Sequence, residues 1–207
     1  MPEKSISEDN QTIKNKIVEA ALKNAAFDGW TKSMLEQSAL DAGYEKDMAR
    51  AVFPYNVKDA LNHLSEMVDQ QMLEKLEEID IEPLRIRDRV QKAVEIRLEI
   101  MSPNKEAYRL GASHWGTHLS ATRAGSAIWN TADKIWIWAG DTTTDYNRYT
   151  KRTLLSAVIL STMLYWFQDE QTDNSKTYNF LAHRIENVMQ FGKFIGKIKN
   201  FGRKNAA

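Results

Sequence analysis

Apolar residues recur at three- and four-residue spacing along almost the whole chain, and no stretch alternates polar with apolar long enough to make a convincing strand. That periodicity commits the 207 residues to an all-α fold, a bundle of about nine helices punctuated by Pro and Gly at the joints. A first helix is expected from about Asp9 to Ala26, with Ile13, Ile17, Ala20 and Ala21 inward. A second follows the cap candidate Thr31 and ends at Gly43. A short third, about Glu45 to Val52, stops at Phe53-Pro54, because proline cannot continue a helix and restrains the residue before it. A long strut from about Asn56 to Ile79 carries the stripe Leu61, Leu64, Val68, Met72, Leu76 and Ile79. Pro83 and Pro103, the latter behind Ser102, are placed as first helical residues of the fifth and sixth helices. The remaining helices are expected at about Ser126 to Ala139, Asp145 to Gln168 and Asn174 to Phe191, with a turn at Gly140 to Thr144.

Cysteine is absent, which excludes disulfides, thiolate zinc sites and cysteine nucleophiles and favours a reducing compartment. Met1 to Gln11 is polar with no apolar core, so it reads as a frayed arm rather than a signal or transit peptide. The nearly apolar stretch Leu154 to Phe167 falls short of the roughly 20 residues that cross a bilayer. The 28 basic residues balance 28 acidic ones, so only local patches can attract a charged partner.

Helix one, Met34-Leu35 through Asp41-Ala42-Gly43-Tyr44, Met48 through Phe53-Pro54, then Lys58 and Leu61 resemble the N-terminal helix-turn-helix module of TetR-type regulators. In such regulators the third helix enters the major groove, and Lys and Arg contacts to phosphate supply most of the affinity. Here residues 1–60 hold eight basic residues against ten acidic ones, and Glu45 and Asp47 lie on the helix that would approach phosphate. A vestigial scaffold is the better reading of this module than retained DNA recognition.

Trp115, Trp129, Trp136, Trp138 and Trp166 crowd the second half with Tyr146, Tyr149, Tyr165 and Phe167. An aromatic stripe at helical spacing usually serves as core. The functional alternative is an apolar lipid pocket lined by Trp129, Leu155, Val158, Ile159, Thr162, Met163 and Trp166, with Lys151 and Arg152 as its polar end. A guanidinium grips phosphate bidentately, so Arg152 is the candidate for a lipid headgroup; its alternative role is a salt bridge to Asp145 or Asp141.

Trp129, Asp133, Trp136, the run Ala139-Gly140-Asp141-Thr142-Thr143-Thr144-Asp145-Tyr146-Asn147-Arg148-Tyr149-Thr150-Lys151-Arg152, and Trp166 with Asp169 closely resemble the signature of the ninth Coq protein family, accessory proteins of ubiquinone biosynthesis. Phe27-Asp28-Gly29-Trp30, Phe53-Pro54, Arg85-Ile86-Arg87 and Phe180-Leu181 with Arg184-Ile185 extend the resemblance over nearly the whole chain. It implies a TetR-like fold, a homodimer, no catalytic residues and no cofactor. It further implies binding of phospholipid or isoprenoid quinone intermediates and their presentation to the di-iron demethoxyubiquinone hydroxylase. By motif position the lipid-phosphate arginine falls on Arg152, and the partner surface on Ile135, Trp136, Asp145, Asn147, Arg148 and Tyr149. Arg148 departs from the family, which carries tryptophan there, and this weakens the hydroxylase contact as a carry-over.

From Asn187 onward no acidic residue occurs. Phe191, Phe194, Ile195, Ile198 and Phe201 share an arc, with Lys193, Lys197 and Lys204 opposite, the pattern of a basic amphipathic helix that can lie in a lipid headgroup layer. Packing on its own domain or on a dimer mate is the alternative. The expected organisation is therefore a helix-turn-helix-like module at 1–60, a helical lipid-binding domain at 61–191 and a membrane-docking tail at 192–207. Its expected location is cytoplasmic, peripheral on the inner face of the cell membrane, or on the matrix side in a mitochondrion. A ligand-responsive transcription regulator that binds DNA is the second functional reading. His114 and His118 share a helical face, yet no glutamate lies between them and no third ligand is placed, so neither a metal nor an enzyme is expected.

Overall fold

A computed structural model describes the backbone of residues 3–204 apart from 115–117 and 145, and the side chains of 10–114, 125–144 and 147–190. Among these residues the regular elements are all helical: α1 (Glu3–Asp28), α2 (Lys32–Asp41), α3 (Lys46–Val52), α4 (Val57–Glu77), α5 (Ile86–Met101), α6 (Lys105–Ser113), α7 (His118–Trp138), α8 (Tyr146–Gln168) and α9 (Ser175–Lys204). None of the described helices is long and apolar enough to cross a membrane.

Helix α1 packs on α2, α3, α4 and α6, while α4 passes from this N-terminal group to α5 and α7, and α7, α8 and α9 pack in succession. The buried stripe of α4, Leu61, Leu64, Val68, Met72 and Leu76, follows the predicted periodicity, whereas Ile79 lies past the end of the helix and is half-buried. Thr31 caps α2 as expected, its hydroxyl accepting the Met34 N–H at 3.1 Å. Gly43 and Gly140 close α2 and α7 at φ of 85° and 92°, a backbone region open to glycine at little cost.

Several boundaries differ from the expected ones. Helix α1 begins at Glu3 rather than about Asp9, in a segment with neither Pro nor Gly to stop it. Pro83 lies in a turn in which Asp80 accepts the Glu82 N–H and Ile81 that of Leu84, so α5 starts three residues later at Ile86. Ser102 does not cap a helix start: its hydroxyl donates back to the Leu98 carbonyl, and Pro103 sits in the single 3-10 turn Ser102–Asn104 between α5 and α6. Helix α7 starts at His118, ahead of the expected Ser126, and the α9 backbone continues without a break through residue 192 to Lys204.

Trp30, 2 % exposed, joins the two groups of helices by donating its indole N–H to the Ala107 carbonyl of α6 at 2.8 Å. Gly111 makes the approach feasible, because a Cβ there would lie 2.9 Å from Leu61 Cδ2 and 3.2 Å from Trp30 Nε1. Trp30→Ala is expected to destabilise the protein by about 3–5 kcal/mol, the cost of emptying a large buried site. Urea unfolding of both proteins measures that difference, and a loss under 1 kcal/mol would deny Trp30 its bridging role.

Candidate functional site

The turn between α7 and α8 is built by one carboxylate. Gly140 takes the left-handed conformation, and the Asp141 N–H then reaches back to the Trp136 carbonyl at 2.9 Å, a Schellman-type closure that places Asp141 under the start of α8. Its carboxylate accepts Lys151 Nζ at 2.6 Å, Arg152 Nη1 at 3.1 Å and the Thr143 hydroxyl at 2.9 Å. Arg152 also donates through Nε to Asp133 of α7 and through Nη1 to the Arg148 carbonyl at 3.2 Å.

Arg152 is therefore 2 % exposed and held between two carboxylates, which corrects its expected place at an open pocket mouth. Of its two anticipated ion partners, Asp141 is the one observed, and Asp145 lies outside the described residues. A guanidinium clamped by Asp133 and Asp141 has its charge already compensated, so it is poorly placed to draw in a phosphate. Lys151, about a third exposed, keeps one side towards solvent while its ammonium lies 5.4 Å from the centroid of the Trp136 ring. Trp136 in turn donates its indole N–H to the Lys151 carbonyl at 3.1 Å.

A cavity of about 340 Å³ opens beside this turn, walled by α5, α7, α8 and α9. Val90, Leu154, Leu155, Val158, Ile185 and Val188 make it almost wholly apolar, and Arg87 and Lys151 are the charged groups on its rim. It lies within the roughly 300–1,000 Å³ range of small-molecule sites. A second cavity of about 170 Å³ lies across α8, between α4, α5, α6 and α7, lined by Leu64, Arg97, Tyr108, Ile128, Met163 and Phe167 among others.

The expected pocket residues divide between these places. Leu155 and Val158 line the first cavity and Met163 the second. Ile159, Thr162 and Trp166 line neither and are packed in the core at 2 % exposure or less, the Thr162 hydroxyl without a hydrogen-bond partner among the described atoms. The Trp166 indole N–H is committed to Asn174 Oδ1 at 2.9 Å. Trp129 lies with its ring centroid 6.2 Å from that of Tyr149 and lines neither cavity. A single tunnel through all seven is thus replaced by two cavities with packed side chains between.

Of the expected partner surface, Asn147, Arg148 and Tyr149 are exposed, Trp136 is half-buried on the first cavity, and Asp145 lies outside the described residues. Ile135 is fully buried, a correction: helical rotation turns it into the core while its neighbour Ile137 faces solvent. The expected membrane residues Phe191, Phe194, Ile195, Lys197, Ile198 and Phe201 lie outside the described side chains. Sequence reasoning gave Arg87 no site role beyond its place in the Arg85-Ile86-Arg87 match, and passed over Arg97 and Tyr108. For Arg97 a signal existed, since it interrupts the buried stripe Val90, Ala93, Val94, Met101 of α5 at helical spacing. Among the described residues no cluster of three or more His, Cys, Asp or Glu could hold a metal ion.

The turn, both of its carboxylates and most of the apolar wall of α8 and α9 fall inside a segment shared with known proteins. Residues 121–192 match the COQ9 family. Beyond this COQ9-like region, similarity extends over 94 % of the chain to the human mitochondrial ubiquinone biosynthesis protein COQ9 at 26 % identity and to the rat protein at 27 %. The Drosophila melanogaster protein of the same name is 26 % identical over 86 % of the chain. The alignments take in 63 %, 64 % and 56 % of those relatives, so the chain spans about three-fifths of the length of the curated COQ9 proteins it matches. Among solved structures, a TetR transcriptional regulator from Nitrosomonas europaea superposes with a TM-score of 0.70 at 17 % identity, covering 86 % of this chain and 99 % of that one. The fold is a TetR-like helical bundle, and the COQ9-like region lies within its α7 to α9.

Burial opposes the charge of Asp141, but hydrogen bonds from Lys151, Thr143 and Arg152 outweigh it and hold the carboxyl down at about 2. A carboxyl depressed in the folded state stabilises it above the unfolded-state value near 4, and that contribution, about 2 kcal/mol, is lost as pH falls towards 2. Asp141→Asn is accordingly expected to be less stable at pH 7 by about 2 kcal/mol, with the gap closing between pH 4 and pH 2. Urea titrations across that range provide the measurement; a gap independent of pH would show that the carboxylate charge does not hold the turn.

Proposed function

We propose that this protein is a lipid-binding accessory protein of ubiquinone biosynthesis, which takes an isoprenoid quinone intermediate or a phospholipid from the membrane surface and presents it to a biosynthetic hydroxylase. The observation that carries this reading is the apolar cavity of about 340 Å³ whose α7, α8 and α9 walls lie in the COQ9-like region, closed on its other side by α5, with charge only at Arg87 and Lys151 on its rim. An isoprene or acyl chain fits such a wall, because its transfer from water needs no polar partner. The headgroup falls to Lys151 and Arg87, which are paired with Asp141 and Glu186 but, unlike the buried Arg152, remain about a third exposed, with Arg152 bracing the turn from which Lys151 projects.

The presentation surface is the exposed strip Asn147, Arg148 and Tyr149 beside that rim, and the partner is the di-iron demethoxyubiquinone hydroxylase. The α9 continuation, with its basic and apolar residues, docks on lipid. A homodimer forms through α7 to α9, a pairing that the exposed Leu160 and Leu164 of α8 support. No reaction is assigned to the protein itself.

The TetR-like fold and the α1–α3 group favour a second reading, a ligand-responsive DNA-binding regulator. On α3 the exposed Lys46 and Arg50 are offset by exposed Asp47, with Glu45 at its N-cap, which leaves little net charge to neutralise phosphates.

Lipid extraction and mass spectrometry of the full chain purified with membranes tests the first reading. Quinone or phospholipid is expected in the wild type, and Val158→Trp, which fills the cavity, should lower bound lipid about tenfold while the fold persists. Wild-type protein free of lipid, together with a salt-sensitive, sequence-selective shift of DNA, would transfer support to the regulator.

A further inference from the structure

Arg97, 6 % exposed on α5, gives two of its nitrogens to oxygen and one to sulfur. Nε pairs with Asp69 of α4 at 3.0 Å, and Nη2 donates to the Ser65 hydroxyl at 3.2 Å. Nη1 is turned to thioethers, 3.1 Å from Met101 Sδ and 3.9 Å from Met163 Sδ. Thioether sulfur is a weak acceptor, so this charged N–H group lacks the oxygen that the other two nitrogens have.

The two sulfurs differ in what can reach them. Met101 is 1 % exposed, and its sulfur takes the nearer contact from Nη1. Met163, half-buried on α8, lines the cavity of about 170 Å³ together with Arg97. Leu160 and Leu164 line the same cavity and are themselves exposed, so it reaches the surface beside Met163. A water molecule takes about 30 Å³, and a small peroxide therefore has room between the sulfur and the guanidinium. Burial pushes the Tyr108 phenol on the same wall up to about 12, so no phenolate competes for Arg97.

We propose that Met163 is a site of reversible oxidation by hydroperoxides, its sulfoxide oxygen accepting the Arg97 Nη1 hydrogen now directed at sulfur. A lone pair of Met163 Sδ attacks the terminal peroxide oxygen as the O–O bond breaks. The hydroperoxide proton moves to the departing oxygen, which leaves as water or an alcohol; the thioether loses two electrons and the peroxide gains them. Arg97 Nη1 donates to the peroxide during the attack and keeps the transferred oxygen, because a charge-assisted bond to oxygen replaces a soft contact to sulfur. Methionine oxidation in a core ordinarily disrupts it by adding a polar group. Here the new oxygen meets a buried donor and ties α8 to α5. The site needs neither lipid nor partner enzyme and stands without the carrier function.

Limited oxidation of the full chain with hydrogen peroxide tests it, followed by peptide mass spectrometry and by treatment of the unfolded product with each of the two epimer-specific methionine sulfoxide reductases. Met48, Met67 and Met189, half-buried like Met163, are the references. At Met163 one sulfoxide epimer is expected to exceed the other at least about tenfold, the scale of one hydrogen bond to a charged donor. Arg97→Lys, which keeps the ion pair with Asp69 but loses the guanidinium fork, should bring the epimers close to equal. Oxidation of the wild type in urea should do the same, and keeps the question answerable if Arg97→Lys does not fold. Leu160→Gln combined with Leu164→Gln keeps the mouth of the cavity open where a second copy of the chain would cover it. Near-equal epimers at Met163 in both the wild type and this double variant would overturn the inference. So would a preference that persists in Arg97→Lys, or a Met163 left unoxidised in both proteins while the references react. Bound lipid is not read in this experiment, so its failure leaves the carrier function standing.

Discussion

Asp69 is the point on which the helical arrangement depends. It lies on α4 at 2 % exposure and receives Arg97 of α5, with Thr131 and Lys134 of α7. Three helices that share little sequence proximity are thereby fixed in rotation about one carboxylate. Taking Asp69 and Arg97 out of water costs several kcal/mol for each ion, and only a full set of hydrogen bonds makes the cost tolerable. An apolar contact could supply as much stability, but it would slide; the carboxylate admits one geometry. That geometry turns Arg97 Nη1 towards the cavity between α4 and α8 and sets the face of α7 that meets α8.

Two further carboxylates do the same work where α7 meets α8. Asp133 and Asp141 hold Lys151, Arg152 and, at 3.4 Å, Arg148, so the basic residues of α8 are consumed largely in shaping their own turn. The run from Asp133 to Arg152 that stands out in the sequence is therefore in good part a folding signal. Its functional output is indirect: it presents the Trp136 ring and the Lys151 ammonium at the rim of the apolar cavity. A shared motif does not say whether its residues touch a ligand or hold those that do, and the burial of Arg152 separates the two here.

The helices were legible wherever one apolar stripe and one breaker coincided, as in α2, α3 and α4. The misplaced starts of α5 and α6 came from reading Pro83 and Pro103 as helix openers, when local turns already used the neighbouring backbone groups. At the candidate site Leu155, Val158 and Lys151 were placed where a cavity exists, because alternation of apolar and charged residues on α8 marks the end of an apolar wall. What periodicity could not supply was the division of that wall. Helix α8 is apolar on nearly every side, so Ile159, Thr162 and Trp166 look like pocket residues from spacing alone. Which side is filled and which is left open depends on the partners α5, α6 and α9 bring, and that is decided by packing over long sequence separations.

The same limit explains why Ile135, expected on the surface, is buried while Ile137 is exposed. Two isoleucines two residues apart in a helix point to opposite sides, and either could have faced the core. Asp133 decides between them. Its pairing with Arg148 and Arg152 requires that it meet α8, which sends Ile135 inward and leaves Ile137 60 % exposed. A polar residue whose partner lies on a different helix thus fixes the rotation of an apolar stripe that is itself ambiguous. In this fold the charged residues select, among several apolar packings of similar energy, the one that leaves two cavities open on either side of α8.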